Sequence, residues 1–209
     1  MCLMGHIYNR LRADSTTAIC TPYDGCTEVT AENKKEKPIF DKHWHLAQSN
    51  QELIFTELEF SLLRISAAFD RWQKDCLACC IDGGLSGTDN SVLQIIRMHD
   101  RAKSISGVAR HLNRDDISNL QYSLRKLTKA GLIERAGRKD SKRSAAYKVT
   151  AEGTRVSDLF AQFRRELLLS LTESVKDFDV DIATASRILN ITSGLYDHAS
   201  AVAASHRHK

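Results

Sequence analysis

Apolar residues recur at helical spacing along most of the chain beyond residue 40. Leu58, Leu62, Ile65, Phe69, Trp72, Cys76 and Cys79 step by 4, 3, 4, 3, 4 and 3. That rhythm predicts a stripe along one face of a long helix, at the spacing that packs helix on helix. Glu57, Glu59, Arg64, Asp70, Arg71 and Lys74 fall off the stripe. The run DGGLSGTDN breaks the helix. SVLQIIRMHD then predicts a short helix with Val92, Leu93, Ile95 and Ile96 turned to a core. In KSISGVARHLN, Ser106 is the expected N-cap of a helix burying Val108, Ala109 and Leu112. A further helix runs from an Asp116 N-cap, buries Leu120, Leu124 and Leu127, and ends at Gly131 in the left-handed conformation. LIERA and AAYKVT read as two strands around a basic turn. Thr150 caps a helix containing Val156, Leu159, Phe160, Phe163, Leu167 and Leu171. A last helix, about Asp181 to Ala204, carries Ile182, Ile188, Leu189, Leu195 and Val202.

The elements divide the chain into four regions. Residues 1–40 show no helical or strand period and read as a flexible arm. Residues 41–86 form a region around the first long helix, 87–153 a compact helix-and-wing unit, and 154–209 the C-terminal helices and tail. The fold class is mainly α with a small β-wing, a winged helix-turn-helix between long helices at both ends. No apolar run approaches the roughly 20 residues that span a bilayer. The N-terminus lacks the apolar core of a secretory signal, so a cytoplasmic protein with no membrane partner is expected.

Net charge is +4, and its distribution says more than its sum. Residues 101–150 hold 13 basic and four acidic side chains, a net of +9, whereas the other 159 residues hold 17 basic and 22 acidic, a net of −5. A cationic segment inside an acidic body is the footprint of a phosphate-binding face. In GRKDSKRSAAYKVT, Arg138, Lys139, Lys142 and Arg143 crowd the tip of the turn between the two strands. A helix fits the major groove of B-form DNA, and a turn beside it can reach phosphates or the minor groove. With Leu120, Leu124 and Leu127 inward, the helix from Asp116 presents Ser118, Gln121, Tyr122, Arg125 and Lys129 outward, flanked by Asn119 and Lys126. Asn and Gln pair with adenine, Arg with guanine, and Ser or Tyr with phosphate. Double-stranded DNA is therefore the expected partner. The alternative from another class is a winged-helix protein-interaction module whose basic wing docks an acidic protein. The long apolar stripes exceed what one reading unit can cover, so pairing of two copies is expected, with half-sites about 34–36 Å apart.

The stretch from Ser104 to Gly153, SISGVARHLNRDDISNLQYSLRKLTKAGLIERAGRKDSKRSAAYKVTAEG, resembles the DNA-binding core of MarR-type transcriptional regulators. The leucine-spaced helix ending KAGLIERA, the wing DSKR with Asp140 and Arg143, and VTAEG opening the next helix carry the resemblance. It implies a homodimer built from the first and last helices, a pseudo-palindromic operator, and Arg143 near the wing tip in the minor groove. It further implies regulation, more often repression, and an effector cleft between the dimerisation helices and the winged unit, which Phe69, Trp72, Cys76, Met98 and His99 would line. The chain departs from the family in separating the wing Asp and Arg by two residues, Ser141 and Lys142, in the acidic start RDDISN and in the long arm.

CLACC places Cys76, Cys79 and Cys80 within one helical turn. Core packing is the reading the stripe favours, because free cysteine behaves as a small hydrophobe. Thiol redox sensing centred on these three, and a metal set completed by His43 or His45, stand as alternatives. Cys2, Cys20 and Cys26 lie in the arm. The chain lacks an HExxH motif, and DGGLSG lacks the strand and helix of a nucleotide loop. The expectation is a binding protein, not an enzyme, without cofactor or resident metal.

Overall fold

The computed structural model describes residues 45–136, 146–173, 175 and 177–207. Helix α1 spans Asn50–Ala78, α2 Gly87–Arg97, α3 Ile105–His111 and α4 Ile117–Lys129. Strand β1 is Lys103–Ser104, β2 Ile133–Ala136 and β3 Ala146–Val149. Helix α5, Ala151–Phe163, runs on through a π-helical segment, Arg164–Leu169, and a closing turn, Ser170–Thr172; α6 spans Phe178–Ser205. The strands form an antiparallel sheet in the order β1-β3-β2, with Ile133 opposite Val149 and Ala136 opposite Ala146. The mainly helical, winged architecture matches the sequence expectation. The strand β1, pairing Lys103 with Tyr147, is an addition. Two residues are too few to carry a period.

Local signals set the boundaries. Ser49 begins α1 with a capping box, accepting from the Glu52 amide while the Glu52 carboxylate accepts from the Ser49 amide. Helix α2 begins at Gly87, five residues before Val92 opens the apolar run, because Ser86 and Asp89 form a second capping box. The run read as a simple breaker thus contains a helix start. Ser104, not Ser106, caps α3, accepting from the Gly107 amide at 3.1 Å. The pairing of Ser104 with β3 ends the extended chain one residue before the helix. Asp116 occupies the N-cap of α4 as expected, but its side chain makes no cap bond. Gly131 ends that helix at φ 71°, and Thr150 caps α5 through the Gly153 amide at 3.0 Å.

One core serves α2, α3, α4, the sheet, α5 and the end of α1. Leu93, Ile96, Leu120, Leu124, Leu127, Leu132 and Ile133 are all buried in it. Each such side chain contributes about 1.5–3 kcal/mol by leaving water. The expected stripe on α1 enters this core only at its C-terminal end. Trp72 packs against Phe160 with ring centroids 6.4 Å apart, and Cys76 and Leu77 are buried. Ile65 and Phe69, by contrast, are more than half exposed. The first two-thirds of α1 extends past the body that its last turns touch. Cys79 is also exposed, and Cys80 is buried in its place. The helix ends at Ala78 with Cys79 as C-cap, so the period no longer governs where Cys79 points.

Asp89 links two parts of the core. Its carboxylate accepts from the Ser86 amide at 2.8 Å and hydroxyl at 2.9 Å, and it pairs with Lys126 of α4 while almost fully buried. Burial pushes this carboxyl up. The Lys126, Ser86 and Ser123 bonds outweigh that penalty and hold it below the ordinary value. Close approach matters at Gly153, where a β-carbon would lie inside the Leu132 carbonyl. That carbonyl already accepts from the Thr150 amide at 3.0 Å.

Two outcomes are expected in urea unfolding. Asp89→Ala should lower stability by about 3 kcal/mol, since it leaves a half-covered ammonium without its partner. The Asp89 contribution is present above the ordinary carboxylate range and should fade as pH falls through its lowered value. Gly153→Ala should cost about 2 kcal/mol through overpacking, and an unchanged midpoint would remove the tight α5–β2 junction as a constraint.

Candidate nucleic-acid interface

Helix α4 has two chemically distinct sides. Leu120, Ser123, Leu124 and Leu127 are buried. Ser118, Asn119, Gln121, Tyr122, Arg125 and Lys129 are exposed, with Tyr122 at 58%. The Arg125 guanidinium lies 6.0 Å from the centre of the Tyr122 ring. This contact pre-orients a long cation that would otherwise roam many rotamers.

The flanking residues have definite partners. The Asn119 amide donates to Asp116 at 3.0 Å, and Asp116 also accepts from Arg114, its Nε at 2.7 Å. The Arg114 bond, then the Asn119 bond, drives the Asp116 carboxyl far below its ordinary value. Asp116 is thereby matched by a cation, and its charge is not presented bare beside the exposed face of α4. Lys126 is drawn the other way. Its ammonium pairs with Asp89 and reaches the Gly84 carbonyl at 3.4 Å. The side chain expected to flank the reading face is thus tied into the fold, because a buried carboxylate competes more strongly for it than solvent does.

A groove of about 350 Å³ runs between α4 and the sheet, with Leu124, Arg125, Thr128, Lys129, Arg135 and Tyr147 along it. Arg125, Lys129 and Arg135 form no ion pair among the described residues. Thr128, Arg135 and Tyr147 were not singled out from the sequence. Strand register brings Arg135 opposite Tyr147, and alternation in the short strands was the only available signal. Arg138, Lys139, Lys142 and Arg143 lie outside the described residues, on the segment joining β2 to β3.

The sensing candidates are not gathered into one site. Cys76 and Cys80 sit in the core, and the Cys80 thiol donates to the Cys76 carbonyl at 3.2 Å. Burial, then the neighbouring thiols, pushes the Cys76 thiol up to about 12. Burial and Cys79 push Cys80 up to about 11, against a lowering by Arg155. Neither is a thiolate at neutral pH, which is the form that oxidation needs. Phe69 and His99 are exposed, Met98 is half-buried, and Trp72 packs on Phe160. None of these four lines the α4 groove or the second groove, beside Gly83 and Lys126. Among the described residues no cluster of His, Cys, Asp and Glu is arranged to hold a metal. His43 lies outside them, and His45 is exposed. No helix among them is long and apolar enough to cross a membrane.

Comparison with known proteins bears on the same segment. Residues 85–153 match the family described as a winged helix DNA-binding domain. No curated protein sequence matches the chain. Among solved structures the chain is similar to reduced AbfR bound to DNA, at 16% identity and a TM-score of 0.56, covering 70% of this chain and 99% of that one; AbfR is from Staphylococcus epidermidis. It is also similar to a MarR family transcriptional regulator from Rhodococcus sp. RHA1, at 21% identity and TM-score 0.52, covering 67% and 93%. A MarR/EmrR family regulator from Acinetobacter sp. ADP1 aligns at 15% identity and TM-score 0.54, covering 68% and 98%.

The exposed and buried thiols should separate chemically. Under mild iodoacetamide, mass mapping should find Cys79 modified well before Cys76 and Cys80. Because the buried thiols are raised above the ordinary value of 9.0, their contribution to stability should be intact below that pH and be lost as pH rises through about 11 to 12. Equal labelling of all three in the native state would overturn the core assignment.

Proposed function

From the premise of a MarR-type fold around a winged helix DNA-binding domain, we propose that the chain is a sequence-specific transcriptional regulator. It acts as a homodimer on a pseudo-palindromic operator, as a repressor. The observation that carries this reading is the two-sided α4: a leucine face locked in the core, and a reading face beside three cations that no carboxylate neutralises among the described residues. Ser118, Gln121, Tyr122 and Arg125 meet base edges and neighbouring phosphates, with Asn119 held ready by Asp116. Lys129 and Arg135 hold the backbone from the groove. Arg138, Lys139, Lys142 and Arg143 extend that grip along the wing. Lys126 serves the fold rather than the nucleic acid.

Dimerisation is supported by the apolar side chains left in solvent on the two long helices. Ile54, Leu63, Ile65 and Phe69 on α1, and Val180, Ile182, Ile191 and Leu195 on α6, are all nearly half exposed or more. Patches of this extent are uncommon on monomers. Pairing through them places two copies of α4 toward successive major grooves. Release by a small effector or by thiol oxidation belongs to the same reading. Of the CLACC thiols only Cys79 is placed for oxidation.

Binding to a duplex selected from a random library tests the assignment. Gln121→Ala should weaken the selected sequence by about 1–3 kcal/mol and relax preference at one position. Lys142→Ala should weaken selected and random duplexes alike and reduce the log–log salt slope by about 0.9. Arg135→Ala should behave as Lys142→Ala does. A chain that binds an acidic protein yet ignores duplexes in dilute buffer is instead an interaction module, and a strictly monomeric chain removes the paired-reader geometry.

A further inference from the structure

We propose that Asn113 is a positioning residue that latches the start of the reading helix to the C-terminal helix α6. The inference rests on the DNA-reading role proposed above. Asn113 lies in the turn between α3 and α4, in the left-handed region at φ 49°. Asparagine is among the few non-glycine residues that visit this region readily. Its side-chain amide donates to both carboxylate oxygens of Asp197 at 3.2 Å and to the Ser193 hydroxyl at 3.4 Å. Ser193 and Asp197 stand one turn apart on the same side of α6. The backbone conformation therefore aims the amide away from its own helix-turn-helix and onto a helix 80 residues later in the chain.

The contact does not stop at Asn113. The next residue, Arg114, anchors its amide to the Ala109 carbonyl at 3.0 Å and grips Asp116 with its guanidinium. Asp116 in turn holds the Asn119 amide on the first turn of α4. Two sets of polar contacts, joined by the peptide bond between Asn113 and Arg114, thus connect Asp197 to a residue of the reading face. A second tie, the Tyr196 hydroxyl to Glu59 at 3.1 Å, fixes the same stretch of α6 against α1. With α6 and α1 forming the pairing surface, the angle between α6 and α4 sets the separation of the two reading helices. These bonds are solvent-exposed, and such bonds are individually weak. The latch therefore sets an orientation and adds little to global stability.

The test uses the full-length chain. Asn113→Gly keeps the left-handed turn, since glycine adopts it freely, and deletes the amide. Asp197→Ala deletes the acceptor from an exposed helix position. Both should leave the dimer mass and the thermal midpoint unchanged. Both should raise hydrogen exchange at amides 113–119 by about fivefold, the range of one exposed charge-assisted bond, while amides 120–129 stay as in the parent. On duplexes selected with the parent chain, the preference for the selected half-site spacing over one lengthened by two base pairs should fall by about fivefold, with binding to a single half-site unaltered. The double variant should do no more than either single one. Parent-like exchange and spacing preference in both single variants, or additive effects in the double variant, would overturn the latch. If the parent itself binds no duplex, the regulator reading falls, and the exchange experiment still decides whether Asn113 and Asp197 hold the turn.

Discussion

The buried carboxylate of Asp89 is the interaction on which the winged unit turns. A lone charge at that depth would be several kcal/mol out of place. Here it closes the N-terminus of α2 through Ser86, accepts from Ser123 and neutralises Lys126. The loop before α2 and α2 itself, neighbours in sequence, therefore share one set of partners with α4, which reaches them only in the tertiary fold. The leucine face of α4 supplies most of the free energy that docks it. The Asp89 pair supplies direction, because a hydrogen-bonded ion pair has one good geometry and a leucine cluster has several.

That direction has a consequence for the cationic surface. Of the basic residues crowded into 101–150, several are matched within the fold: Lys126 by Asp89, Arg114 by Asp116, Lys148 by Glu134, and Lys103 by the carbonyls that close α2. The matching is not uniform. It removes charge from behind and beside α4, and of the cations it leaves without an ion pair among the described residues, Arg125, Lys129 and Arg135 line a single groove. A positive potential concentrated in a groove attracts a polyanion more effectively than the same charge spread around a body.

The two ends of the chain follow a different logic. The middle of the molecule buries its apolar residues within itself, while α1 and α6 carry theirs outward. The apolar stripe on α1 is continuous in sequence and divided in space. From Trp72 onward it packs on α5 and α2, whereas Ile65 and Phe69 before that meet solvent. A helix of 29 residues is about 44 Å long, which is longer than the small domain it leans on. Local periodicity cannot register that difference in size.

Much of this was legible in residue order. The leucine spacing of α4, the left-handed Gly131, the Thr150 cap, the two strands of the wing and the basic segment are written in short-range patterns. Each is decided by contacts within a few residues of itself. The sequence alone determined those elements, the polarity of α4 and the sign of the charge beside it. Tertiary structure decided the rest. It showed which serine caps α3, since β1 exists only through pairing with β3. It placed Cys80 inward and Cys79 outward, since the helix ends at Ala78, before either of them. It drew Lys126 into the fold and brought Arg135 to the groove, since Lys126 depends on Asp89, 37 residues away, and Arg135 on Tyr147, 12 residues away, and no local period encodes either partner. Charge and burial are long-range quantities, and a chain reveals them only when its distant parts are brought into contact.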